Sequence, residues 1–135
     1  MRRFCSQSFL RNIEKLNFLS LYSHNQFDHV LISLFSDPPG KPVLTVPTDI
    51  VENQTQTFIC TSEGGYPSPN ITWTLGSTVL PSNEFTTTIS NDGNRVTSRL
   101  TRPLSNLDDG KLLLCEAENI LRSDSTSETL NVKCE

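Results

Sequence analysis

Four cysteines, two histidines and several close carboxylate pairs are the side chains here able to cross-link the chain, ligate a metal or move a proton. Cys60 and Cys115 stand 55 residues apart, and Trp73 lies between them, 13 residues after Cys60. Thiolates that hold zinc usually come in C-x-x-C spacing or with histidines close by. This chain has no C-x-x-C, and His24 and His29 both precede residue 37, so no metal site is expected. Asp108-Asp109 and Glu116-Ala-Glu118 could be read as a glycosidase pair or as calcium ligands. The first needs two carboxylates flanking a cleft and the second six to eight oxygens; a turn acid pair and a solvated strand face fit these residues better. Serine and threonine abound, but without a histidine beside them or a nucleophile elbow none has an activating base. Gly64-Gly65 has no phosphate-loop lysine near it. No catalytic residue and no cofactor are expected.

The elements that must position these side chains follow from a break in composition near residue 37. All eight prolines lie at or after Pro38 and all six glycines at or after Gly40, whereas five of the seven phenylalanines come earlier. From there on, turn residues punctuate the chain every eight to twelve residues, as in a domain of many short strands. Alternating patterns predict strands at 42–46, 54–61, 70–75, 78–80, 85–89, 95–101, 112–118 and 127–133. Asn91-Asp-Gly-Asn94 is a hairpin turn, because Asp-Gly supplies the positive φ angles such turns need. The predicted fold is all-β: a two-layer antiparallel sandwich of seven to eight strands over 37–133, with Phe58, Trp73, Leu100 and Leu113 among its core residues. In a sandwich, cysteines facing each other from central strands can bridge the sheets, and an indole fills the space the short bridge leaves. Cys60, Cys115 and Trp73 are so placed, and a Cys60–Cys115 disulfide is expected.

Four stretches carry a resemblance to a known family: Thr57-Phe-Ile-Cys60, Pro67-Ser-Pro-Asn-Ile-Thr-Trp73, Val96-Thr-Ser-Arg-Leu100 and the run from Asp108 to Asn119. Together they resemble the immunoglobulin superfamily. The last is most similar to constant-type-2 and intermediate-like domains of nephrin-, kirre- and nectin-like adhesion receptors. The intermediate pattern places a tyrosine two residues before the second cysteine, where it anchors a strand corner. Here that residue is Leu113, so something else must hold the turn at Asp108-Asp-Gly110. The resemblance implies a protein-recognition module of a cell-surface adhesion or receptor ectodomain, whose partners are other cell-surface or extracellular proteins, bound homophilically or heterophilically. It implies no small-molecule substrate.

An inter-sheet disulfide requires an oxidising compartment, which places the domain outside the cell or in a secreted protein. Two glycosylation sequons, Asn53-Gln-Thr55 and Asn70-Ile-Thr72, agree with it. Asn53 falls at a turn, and alternation points Asn70 outward while Ile71 and Trp73 point in. Because the turn and the loop before Asn70 cap opposite ends of one strand, the glycans lie at opposite ends of the sandwich. Residues from 37 onward carry seven basic against thirteen acidic groups, a balance of −6, which argues against nucleic acid as a partner. The rival readings are a secreted immune-recognition protein, an intracellular muscle-type domain with free thiols, and a gene fragment with no independent function.

Residues 1–36 fit this picture poorly. Their basic start at Met1-Arg-Arg3 is followed by apolar runs broken by Gln7, Arg11, Asn12, Glu14, Lys15 and Asn17, unlike a secretory leader. Leu10, Ile13, Leu16 and Leu19 could share a helical face. Leu31-Ile-Ser-Leu-Phe-Ser36 alternatively back-translates as a pyrimidine tract of the kind that ends an intron, and a non-authentic segment ahead of the domain is the favoured reading. Cys5 and Cys134 could pair with each other, bridge two chains, or be free thiols at the boundary.

Overall fold

The computed structural model describes residues 36–134; the expectations placed on the chain before Ser36, including those for Cys5 and its pairing with Cys134, lie outside the described residues. Ten strands run in order: β1 (Val43–Thr45), β2 (Ile50–Val51), β3 (Thr55–Glu63), β4 (Asn70–Leu75), β5 (Thr78–Val79), β6 (Phe85–Ile89), β7 (Arg95–Pro103), β8 (Leu112–Glu118), β9 (Ser123–Thr129) and β10 (Val132–Lys133). Two antiparallel four-stranded sheets form the sandwich, one ordered β1-β3-β7-β6 and the other β5-β4-β8-β9. Among the described residues no helix is long and apolar enough to cross a membrane.

Alternation makes the core. Phe58 and Cys60 of β3, Ile71, Trp73 and Leu75 of β4, Val96 and Leu100 of β7, and Leu113, Cys115 and Ala117 of β8 are all buried between the sheets. Their neighbours along each strand face outward, as the period-2 pleat requires. β4, β6 and β8 begin and end where the alternation predicts.

The last predicted strand, 127–133, is corrected. Strand β9 starts earlier, at Ser123, and stops at Thr129, and the chain then shifts to pair Val132 and Lys133 in parallel with Ile50 and Val51 of β2. The run Ser123-Asp-Ser-Thr-Ser-Glu-Thr129 has no apolar alternation to announce a strand, because it pairs along the sheet's margin opposite β8. Strand β2 was likewise invisible: two residues are too short for periodicity, yet Ile50, Leu130 and Val132 close the bottom of the core.

The β6–β7 hairpin turns at Asn91–Asn94, where the Asp-Gly pair predicts, but of the pair Gly93 alone takes a positive φ, 73°, and Asp92 does not. The Asp92 carboxylate accepts from the Ser90 hydroxyl at 2.6 Å and the Asn94 amide at 3.0 Å. These donors, the Ser90 hydroxyl foremost, hold Asp92 below its ordinary carboxylate range.

Candidate recognition surfaces

The pin of the sandwich fixes every surface outside it. Cys60 of β3 and Cys115 of β8 are disulfide-bonded across the two sheets, with Cα atoms 6.4 Å apart. Trp73 lies directly beside Cys115 in the β4–β8 register and is fully buried. Its indole Nε1–H donates to Ser98 Oγ on the opposite sheet at 2.8 Å, and Thr87 donates to the same oxygen at 3.4 Å. A buried indole N–H left without an acceptor would be costly, so Ser98 is a second, polar tie between the sheets. The inward alternation of β7 could place Ser98 in the core, but only the opposed sheet reveals what it is for.

The position of the missing corner tyrosine is held by acids instead. Ser105 caps a short 3-10 turn at Asn106–Asp108, its hydroxyl accepting from Leu107 N–H while Asp108 accepts from Ser105 N–H at 2.9 Å. Asp108 also pairs with Lys111 at 3.0 Å. Asp109 Oδ1 accepts from the Val132 amide at 2.7 Å, and Gly110, at φ 84°, donates to the Leu130 carbonyl. The acid pair that might have been read as catalytic thus ties the turn to the end of the chain. Asp109→Ala should remove one charge-assisted bond and destabilise the domain by about 1.5–3 kcal/mol. Faster hydrogen exchange at Val132 than at the β3 amides would localise the loss to β10; unchanged exchange there would refute the clamp.

Cross-strand register defines the outer face of the β5-β4-β8-β9 sheet row by row. At one end stand Asn70, Glu118 and Ser123, followed by Thr72, Glu116 and Ser125. Beyond them come Val79, Thr74, Leu114 and Ser127, and last Leu112 beside Thr129. The face is therefore acidic at the Asn70 end and apolar at the other, where Val79 is 67% and Leu112 49% exposed. Glu116 accepts from Ser123 at 2.8 Å within the acidic half, a solvated strand face rather than a cleft. The opposite sheet's outer face carries rows of threonine, such as Thr61, Thr97 and Thr88, with Arg99 and the Arg95–Glu63 pair.

Both sequon asparagines are exposed. Asn53 sits in the turn before β3 with φ 63°, and Asn70 opens β4. At the Asn70 end, the Asn119 side chain joins three segments: its amide donates to the Asp37 carbonyl at 2.7 Å and the Pro67 carbonyl at 3.1 Å, and its oxygen accepts from Leu121 N–H. Sequence reading had no signal for this staple. Among the described residues no group of three or more His, Cys, Asp or Glu side chains is placed to hold a metal.

Two four-stranded sheets pinned by a buried disulfide against an indole define an immunoglobulin domain. Residues 39–126 match the CD80-like C2-set immunoglobulin domain family, to which the chain belongs. The chain is 33% identical over 96 residues to the BDNF/NT-3 growth factors receptor of Gallus gallus, covering 71% of this chain and 11% of the receptor. Its fold is similar to the mouse nectin-like molecule 4 ectodomain, with a TM-score of 0.62 at 23% identity, over 72% of this chain and 35% of that one. It is also similar to Rst D1-D2, with a TM-score of 0.59 at 25% identity, over 73% of this chain and 50% of that one. The chain thus spans half or less of these three proteins, and its immunoglobulin domain is of the kind that adhesion and receptor ectodomains carry.

Proposed function

We propose that residues 37–133 act as an extracellular recognition domain of a cell-surface adhesion or receptor protein, contacting a protein partner with the apolar half of the β5-β4-β8-β9 face. The observation that carries this reading is the fully buried Cys60–Cys115 bridge, since a structural disulfide is made and kept in the secretory route rather than the cytosol. The receptor relative and the exposed sequons support the same compartment. Glycans on Asn70 would shade the acidic end of the face, which directs a partner to Val79, Thr74, Leu114 and Leu112. Such an interface, confined to part of one sheet, falls in the modest size class and would be shared with neighbouring domains.

Expressed through a mammalian secretory route, the chain should carry N-glycans at Asn53 and Asn70, each lost on substitution by Gln and read by mass after glycosidase treatment. Cys60 and Cys115 should be inert to thiol reagents even when the chain is unfolded in denaturant without reductant. Unmodified asparagines together with Cys60 and Cys115 reacting as free thiols in unreduced denaturant would instead revive the intracellular reading. Mapping a bound partner by cross-linking, with and without the Asn70 glycan, tests the choice of face; contacts centred on Asn70 would sink it.

A further inference from the structure

A sheet edge offers a row of unpaired backbone groups, and proteins blunt such edges with short strands, proline, charge or a covering segment. Three of the four edges here are blunted. Strand β1 has three residues, bounded by Pro42 on one side and followed closely by Pro47. Strand β5 has two. Strand β9 is covered by the β1 segment, with Lys41 Nζ donating to the Ser125 carbonyl at 2.9 Å. Strand β6, Phe85-Thr-Thr-Thr-Ile89, has none of these protections among the described residues: it is five residues long, free of charge and proline, and rich in β-branched side chains.

The register says which groups β6 presents. In an antiparallel pair, bonded and non-bonded residue pairs alternate, and Ser90 N–H donates to the Arg95 carbonyl at the hairpin end. Thr88 and Thr86 therefore bond to β7, while the N–H and C=O groups of Phe85, Thr87 and Ile89 point away from the sheet. The same three side chains lie on the core side: Phe85 packs against the core, Thr87 bonds Ser98, and Ile89 remains 55% exposed. Thr86 and Thr88 lie on the outer face and are exposed.

We propose that β6 docks on β6 of a second copy of this chain, antiparallel, about a two-fold axis at Thr87. The segment is complementary to itself in that register and in its apolar and hydroxyl pattern. Thr87 meets its own copy in a bonded pair, and Phe85 meets the second copy's Ile89 in two more, so every outward backbone group of these residues finds a partner. The exposed Ile89 is then covered by an aromatic ring on the core side, and Thr86 faces Thr88 on the outer side, both favourable cross-strand pairings. No like charges are opposed within the strand, and the adjoining Glu84 is neutralised by Arg102 at 3.0 Å. The result joins two β1-β3-β7-β6 sheets into one. It leaves the β5-β4-β8-β9 face open and does not depend on the function proposed for it.

Sedimentation of the full chain over a concentration series tests the edge. The double variants T86K/T88K and T86E/T88E place like charges opposite each other across the axis at exposed positions. Each alone should lose about tenfold or more in association constant, while circular dichroism confirms an unchanged fold. Mixed in equal amounts, the two should recover a heterodimer, because opposite charges then face each other across the axis. Wild-type chain that stays monomeric up to about 1 mM, variants that dimerise like wild type, or a mixture that stays monomeric would each overturn the proposal.

Discussion

Replacing both halves of the inter-sheet bridge, Cys60→Ala with Cys115→Ala, is expected to lower the unfolding free energy by about 4 kcal/mol. The bridge closes a loop whose ends are 55 residues apart in sequence, and removing it restores to the unfolded chain the freedom to separate them. Both cysteines are completely buried, so the alanine variant also leaves a small void where the sulfurs stood, which adds to the loss. Small domains have only about 5–15 kcal/mol in hand. A loss of this size lowers the melting temperature of a domain of about 100 residues by roughly 15–30 °C. Urea titration of wild type and variant, both followed by Trp73 fluorescence, reads the difference directly. A loss below about 1 kcal/mol would mean that the packed sheets, not the cross-link, confine the chain.

Truncating the indole should be nearly as damaging. Trp73→Ala is expected to cost about 3–5 kcal/mol, the range for deleting a large buried aromatic, because the side chain is fully buried beside the bridge. The hydrogen bond to Ser98 makes a finer test. Ser98→Ala strands the indole N–H in a dry core and should cost about 1–3 kcal/mol. Trp73→Phe with Ser98→Ala should cost less than the two single changes combined, since the second change no longer orphans a donor. A double-mutant cycle with a coupling of about 1 kcal/mol is the expected outcome; strict additivity would show that the 2.8 Å contact contributes nothing to holding the sheets together.

Much of this architecture was legible from local pattern. Val96-Thr-Ser-Arg-Leu100 and Asn70-Ile-Thr-Trp-Thr-Leu75 alternate cleanly because each strand has one face in the core and one in water, and that demand is written into neighbouring residues. The Asp-Gly turn was readable for the same reason: its φ requirement is met within four residues. Reading the acids at Asp108-Asp109 as a turn pair was also possible, and the absent tyrosine at Leu113 announced that the turn needed another anchor. What the anchor was could not be read, because Asp109 finds Val132 some distance along the chain.

The sequence alone therefore determined the longer core strands, their inward faces and the pair of cysteines that meet, since period-2 burial and turn chemistry are local properties. Only the tertiary structure decided the rest. Ser98 as the acceptor for Trp73, the parallel β2–β10 pair, the apolar and acidic halves of one outer face, and the unguarded edge at β6 all arise from register between segments far apart in the chain. Register is set by the packing of the whole core, so no single segment carries a record of the partner it will meet.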